Sequence, residues 1–436
     1  MFLSLAICGK SFAQDSALLN KPLRWDLAKC IDYAKSNNIQ VNTLRLNKQT
    51  AQQEYSLARA GKEPNLAATA SQDFTHRPKQ QNAAAGSIGS AFSASGQYAL
   101  TSAVTLYNGN YISNNIRQKN IELEQATLGI VQQENDITLQ VTQAYLLVLL
   151  DKENIISDTS VVNTSNAHVK LEQQRFDAGA AARKDLIQLQ AQNAGDKYTL
   201  AVAINTERAD LLTLKQLLIL PTATDFDIVK PEVITEKMVL TPLREVEDTA
   251  FKNRPEIKSG QLAIDAAQLG VKIARSGYLP TLTAGGAIGT QYATGIGYFS
   301  QLNNNLYQQL GLTLSIPILT RRIVKTQVEE AKINADQATL NFSNIKITLS
   351  QEVERAYINI LNAQSQYHAA DVQYKFNQES YRIANEQLRI GAISIVDLMV
   401  QTTSFMQAQQ AFLQAKYNLL LTQKIYDFYR GVPVTL

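Results

Sequence analysis

The chain has 436 residues, 45% of them hydrophobic and 18% charged, with a formal net charge of +3. No Lys/Arg run exceeds two residues, so nothing marks a nucleic-acid binder or a polybasic membrane segment. No stretch approaches the ~18 apolar residues of a membrane-spanning helix, so a membrane-embedded form of this chain would have to be a β-barrel.

The first residues read MFLSLAICGKSFAQ. An apolar run, Phe2 to Cys8, precedes Ser11-Phe12-Ala13, whose small residues suit the −3 and −1 positions of a cleavage site. Residues 1–13 are therefore expected to be a secretory signal without its basic start, the alternative being a frayed apolar N-terminus. With that segment removed only Cys30 remains, which rules out a disulfide within the chain and leaves Cys30 to pack as a small hydrophobe. Trp25 is expected either to anchor an N-terminal arm or to sit in the core.

A helix of about 25 residues is predicted to stop at Gly61-x-x-Pro64. Strand-like sequence follows, with Tyr98, Leu100, Ser102, Val104 and Leu106 in alternation and a Gly/Ser/Asn/Gln-rich loop at about Thr75–Ser95. From Ile112 to Asp177 no proline interrupts a helical pattern. Its apolar seam steps by seven through Ile116, Leu123, Ile130 and Ile137, shifts by four to Val141, then continues through Val148, Ile155, Val162, Val169 and Phe176. A sustained seven-residue step predicts a left-handed coiled coil, on the order of 100 Å long. The other seam holds Asp151, Asp158, Ser165 and Glu172, which predicts one face turned to water. After a turn at Gly179, a helix of about 35 residues is expected to run back to about Leu220. Three prolines mark Pro221–Pro242 as a linker.

The same order then repeats. Ala58-Arg59-Ala60-Gly61 returns as Ala274-Arg275-Ser276-Gly277, at an offset of 216, as do Pro64 and Leu66 at Pro280 and Leu282. Asp32–Ala34 with Asn37 matches Asp248–Ala250 with Asn253 at the same offset. Further on the offset is 212: Gln125-Ala126-Thr127-Leu128 becomes Gln337-Ala338-Thr339-Leu340, and Gly179 with Asp185-Leu186 becomes Gly391 with Asp397-Leu398. In the second copy Leu310, Leu312, Leu314, Ile316 and Ile318 alternate with smaller or polar residues, and Ala293–Asn305 reads as a loop. The heptad stripe of its long helix includes Tyr367, Tyr374 and Tyr381, read as an interhelical seam. The predicted fold is mainly α with a small β part. It comprises a first repeat at 14–220, a linker at 221–245 and a second repeat at 246–436.

The repeat, the Gly-x-x-Pro approach to each first strand and the Gly-x-x-x-x-x-Asp-Leu tips resemble the outer-membrane factor family of TolC-like efflux proteins, from Leu23 to Gly431. That resemblance implies a homotrimer in which four strands per chain build a 12-stranded barrel in outer-membrane lipid, continuous with an α-helical barrel in the periplasm of a Gram-negative bacterium. It implies a passive exit duct for efflux or type I secretion, with a periplasmic adaptor and an inner-membrane pump as partners. Adaptor contacts would fall on the tips, Ala178-Gly179-Ala180-Ala181 and Ile390-Gly391-Ala392-Ile393-Ser394. Asp397 and its counterpart Asp185 would form the periplasmic entrance constriction, although an Asp in a first helical turn also suits the helix dipole. The chain departs from the family's best-known member nearby. Val400 replaces a second Asp, Leu388 and Ile393 replace a gating Tyr and Arg, and Arg183-Lys184 flank Asp185. A trimeric coiled-coil stalk with a membrane anchor is the other architecture to weigh. His76, His168 and His368 lack metal-ligand spacing, and no nucleophile or phosphate-binding motif is present, so neither an enzyme nor a cofactor is expected.

Overall fold

A computed structural model describes residues 23–81, 88–231, 240–293 and 298–434; the signal-like residues 1–13 lie outside the described residues. The first elements are β1 (Leu23–Trp25), α1 (Leu27–Asn37), α2 (Ile39–Ala60), β2 (Asn65–Gln81), β3 (Ile88–Asn108), α3 (Tyr111–Asp177) and α4 (Arg183–Leu217). Then come β4 (Phe226–Ile228), α5 (Leu243–Asn253), α6 (Pro255–Ser276), β5 (Thr281–Ala293) and α7 (Tyr298–Asn304). The last three are β6 (Tyr307–Ser315), α8 (Ile323–Arg389) and α9 (Ile395–Tyr429). Helices α3 and α8 are each 67 residues long, and α4 and α9 each 35.

Several expectations change. Each predicted 25-residue helix is two helices, because Asn38 leaves the helical region at ψ 130 and Arg254 does the same ahead of Pro255. The second break is the steric effect of proline on the preceding residue. The loop expected at Thr75–Ser95 is largely strand: the ladder runs on through Thr75↔Ser93 and His76↔Phe92, with a register shift between Arg77 and Gln80, around Pro78. Pairing outweighs the low strand propensity of Gly, Ser and Asn there. Part of Ala293–Asn305 is the short helix α7. Strand β6 stops at Ser315, short of Pro317, which lacks an N–H for the ladder.

Contacts divide the chain into two compact units, each drawing on both copies. The first takes the described residues up to Ile39, then Glu134–Thr249 and those from Val353 onward. Its core includes Tyr145, Leu146, Leu149, Leu214 and Ile360, all nearly inaccessible. Within the stretch read as a linker, β4 pairs in parallel with β1. Trp25 is buried there, edge-on to Phe226. The Tyr145 hydroxyl donates to Val229 O at 2.5 Å, and Lys152 ties Asp227 (2.7 Å) to Glu207 (2.9 Å). Cys30 is fully buried in the same unit, and burial pushes its thiol up to about 12.

The second unit holds Gln40–Gln133 and Ala250–Glu352. Its sheet has the order β2-β3-β5-β6, all antiparallel, so the two copies' strand pairs join through β3 and β5. Helix α6 approaches α8 closely at Gly260, where an added Cβ would lie 2.7 Å from the Phe342 ring. The strand-to-helix corners need left-handed backbone. The first copy uses Gly109 and Asn110 (φ 63 and 65), the second Arg321 and Arg322 (φ 47 and 69).

Candidate functional sites

The sheet's chemistry follows from its register. Residues paired across antiparallel strands point to the same side, and alternate pairs point to opposite sides. Leu66↔Ser102↔Gly286↔Leu310 and Ala68↔Leu100↔Ile288 lie on one face, together with Phe74, Phe92, Leu312 and Leu314. The other face carries Ala67↔Thr101↔Ala287↔Gln309 and Ser71↔Gln97↔Gln291. Nothing in the described chain covers the apolar face: Leu310 is 93% exposed, and Phe74, Leu66 and Leu312 are also exposed. Toward one end of that face, Gln72 bonds the hydroxyls of Tyr292 and Tyr98. Strands β2 and β6 are the sheet's two edges.

Each helical tip closes in the same way. Ala180 N donates to Arg175 O at 2.8 Å and Gly179 N to Phe176 O at 2.9 Å; Ala392 N donates to Gln387 O at 2.8 Å and Gly391 N to Leu388 O at 3.0 Å. These are Schellman turns, with the glycine in the left-handed region at φ 73 and 74. A Cβ on either glycine would meet nothing within 4 Å, so conformation alone requires glycine there. Ala178, Gly179 and Ala180 are exposed and Ala181 is half-buried; Ile390, Gly391, Ala392 and Ser394 are exposed and Ile393 is half-buried.

The two tip aspartates differ. Asp397, exposed, closes a capping box: its N–H reaches Ser394 Oγ at 3.2 Å, while its Oδ2 accepts from Ser394 N (3.3 Å) and Oγ (2.7 Å). Asp185 occupies the same helical position, but its N-cap is Ala182, which has no side chain to cap with. No hydrogen bond or ion pair joins Asp185 to Asp397 among the described residues.

The polar seam of α3 does not face water. Asp151, Ser165 and Glu172 are buried, and Asp158 is half-buried. Polar side chains of α4 account for this: Asn193 Nδ2 donates to Ser165 Oγ at 2.9 Å, and Asp196, itself 3% exposed, accepts from Gln192 at 2.8 Å. Burial, then the Asp210 carboxyl and the Glu207 charge, pushes the Asp151 carboxyl up to about 7. Burial and the like charge of Asp196 hold Asp158 above its ordinary range. Heptad spacing exposed the seam in the sequence, but the matching polar stripe on α4 was the missed signal.

The second hairpin fills the equivalent space with rings. Tyr374 stacks on Phe412 (4.9 Å, 12°) and Tyr381 on Phe405 (4.8 Å, 3°), so the tyrosine series is an interhelical seam as expected. His168 pairs with Asn385 at 2.9 Å, which accounts for it without a metal. Among the described residues no group of three or more His, Cys, Asp or Glu could hold a metal ion, and no helix is long and apolar enough to cross a membrane.

Comparison with known proteins places these features. Residues 247–424 match the family model described as outer membrane efflux protein. The chain is 24% identical over 220 residues to Toxin and drug export protein A of Aggregatibacter actinomycetemcomitans, covering 50% of this chain and 47% of that protein. It is 27% identical over 198 residues to Outer membrane protein TolC of Escherichia coli (strain K12), covering 42% and 38%. The matches thus span about half or less of these relatives' own length. The crystal structure of the Campylobacter jejuni CmeC outer membrane channel superposes with a TM-score of 0.79 at 18% identity, covering 99% of this chain and 94% of that one. The fold is that of these channels.

Proposed function

Because residues 247–424 match the outer membrane efflux protein family model, we propose that the chain is the outer-membrane exit duct of a tripartite efflux or type I secretion system. The observation that carries this reading is the sheet: apolar on one face, polar on the other, and open at both edges. Unpaired edge N–H and C=O groups have no partner in hydrocarbon, so the sheet enters a bilayer only by closing with other copies. A homotrimer gives 12 strands, with the Leu310–Leu314 face toward outer-membrane lipid and the Thr101–Gln309 face toward a wet lumen. The wall passes from strand to helix at Gly109–Asn110 and again at Arg321–Arg322. Such an object conducts and does no chemistry.

The tips carry the partner contacts in this proposal. A periplasmic adaptor, itself joined to an inner-membrane pump, docks on Ala178–Ala181 and Ile390–Ser394, and Asp397 with Asp185 narrows the periplasmic entrance. The exposure of Ile390 (71%) and of both glycines supports a surface awaiting a partner.

The test is reconstitution. Detergent-extracted protein should run as a trimer and form cation-preferring pores in planar bilayers. Asp397→Ala should weaken the cation preference, and unchanged selectivity would remove Asp397 from the entrance. A monodisperse monomer that needs no detergent would sink the duct, and a folded trimer that never conducts would favour a coiled-coil stalk. Photo-crosslinking from Ile393 in intact cells should capture an adaptor; capture of a non-transport protein alone would refute the tip assignment.

A further inference from the structure

The two strand-to-helix corners differ in the residues that take the left-handed backbone. At the offset of 212, Gly109-Asn110 of the first corner correspond to Arg321-Arg322 of the second. Glycine and asparagine enter that region readily, whereas arginine is strained there. At Gly109 an added Cβ would lie 2.7 Å from Leu279, so the first corner is closed against a side chain. Arg321 and Arg322 are both exposed, and neither guanidinium has a hydrogen bond or an ion pair among the described residues. Forming the corner does not call for arginine.

The register sets the level of this corner relative to the apolar face of the sheet. Asn108, Thr281 and Ser315 pair in one row at the helix end of the strands. Just inside that row, the register shift between Thr105 and Tyr107 turns Tyr107 onto the row of Leu282 and Leu314, on the apolar face. Tyr98 and Tyr292 stand toward the other end of the same face. Thr290 and Leu282, the partners of Tyr98 and Tyr107, are eight residues apart in β5. That is about 27 Å of strand, or about 21 Å across a bilayer at a tilt of about 40°, close to the ~25 Å apolar band of a membrane barrel. Tyrosine favours the boundary between hydrocarbon and headgroups. The helix end of the sheet is therefore at headgroup level, and the chain leaving β6 fits it: Ile318 (94% exposed) and Leu319 (86%) come first, then the two arginines.

We propose that Arg321 and Arg322 bind the phosphate of an anionic glycerophospholipid, with Ile318 and Leu319 against its acyl chains. Guanidinium forks match phosphate oxygens two at a time. Their charge complements an anionic headgroup, and no carboxylate among the described residues has claimed it. The apolar pair ahead of them extends the exposed Leu310–Leu314 face without a break in chain. Inorganic phosphate shares the headgroup's chemistry but gains nothing from Ile318 and Leu319. The site occurs once per chain, since the first corner offers only Gly109 and Asn110. The inference rests on the duct reading, which puts the apolar face in lipid. Helices α3 and α8 leave from this end of the sheet, so the leaflet on the periplasmic side supplies the lipid.

The test compares the detergent-extracted full-length protein with Arg321→Gly combined with Arg322→Asn, which installs the first corner's residues and keeps a backbone that they suit. Each is incubated with dioleoylphosphatidylglycerol or dioleoylphosphatidylcholine, and the lipid carried per chain is counted by native mass spectrometry. The unaltered protein should retain phosphatidylglycerol in preference. The variant should lose roughly fivefold in affinity for each arginine, on the order of 25-fold together. Lys170→Gln combined with Lys197→Gln removes the same charge from exposed helical positions and should leave the preference unchanged. Equal retention of the two lipids, loss of the preference in the lysine control, or release of the lipid by inorganic phosphate would overturn the proposal. So would a variant whose oligomer falls apart in lipid-free detergent, since the arginines would then be pairing with a second copy. Pores that conduct without any lipid preference would remove this site and leave the duct standing. Lipid preference in a protein that never conducts would do the reverse.

Discussion

The hairpin of α3 and α4 and the hairpin of α8 and α9 have equal helix lengths and the same turn, yet their seams are chemically opposite. The first buries Asp151, Ser165, Glu172, Asn193 and Asp196; the second buries Ala363, Ala384, Phe405 and Ala408 and stacks tyrosines on phenylalanines. Backbone geometry is therefore set by the heptad step and the glycine turn, while the seam is free to carry either chemistry. Stacked rings add about 0.5–1.5 kcal/mol per pair beyond their buried area. Buried acids subtract unless something neutralises them. The second hairpin is the firmer of the two, and the first responds to solution conditions.

The widest gap should come from paired truncations at equivalent positions. Phe405→Ala removes a buried ring that touches Tyr381 and Tyr374 and should cost about 3–5 kcal/mol. Asn193→Ala, its counterpart 212 residues earlier, loses one hydrogen bond to Ser165 and should cost about 1 kcal/mol. Hydrogen exchange at the four helices, read by mass spectrometry, reports each loss locally. Equal losses would break the contrast.

The next effect is one of pH. The Asp151 carboxyl titrates near 3.8 when unfolded and at about 7 when folded. Between those values the folded state holds more protons, so stability falls as pH rises from about 4 to about 7 and stays low above. Asp151→Asn removes that slope. It should raise stability by on the order of 2 kcal/mol at pH 8 and change little at pH 4. Melting temperatures of both proteins across that range check it; parallel curves would mean that Asp151 is not the group responsible. The second hairpin has Ala363 at this position and contributes no such slope.

What the sequence disclosed tracks what is periodic. The seven-residue step gave α3 to within a residue, and the paired Gly179 and Gly391 located both turns. Non-periodic features were hidden. The β1–β4 pair is three residues long on each side and distant in the chain, and β2 continues through Pro78 because its partner continues. The tip residues were named correctly as turns, but the Ser394-x-x-Asp397 spacing, which signals a capping box, went unread. The burial of Asp151, Ser165 and Glu172 was misread because a polar stripe on one helix says nothing about the stripe opposite.

The glycine turns should erase the contrast. Gly179 and Gly391 share a φ near +73 and empty surroundings, so Ala at either should cost a similar amount, about 1 kcal/mol, from backbone strain alone. Urea unfolding of the two variants measures it. A much larger loss at one of them would mean that its tip is packed against something that the single chain does not contain.

The smallest effect concerns the caps, and it runs in both directions. Helix α9 begins with Ser394, whose hydroxyl accepts from Asp397 N–H, while α4 begins with Ala182, where the Asp185 N–H has only the Ala182 carbonyl, at 3.1 Å, and no capping side chain. Ser394→Ala should cost about 0.5–1 kcal/mol. Ala182→Ser should return a similar amount to the first hairpin, since Asp185 already stands where the reciprocal partner of a capping box belongs. Exchange rates of the amides at Asp185 and Asp397 are the local readout: the substitutions should slow the first and speed the second. If Ala182→Ser leaves exchange at the Asp185 amide unchanged, the two tips differ in backbone as well as in side chain, and their common turn does not extend to the helix start.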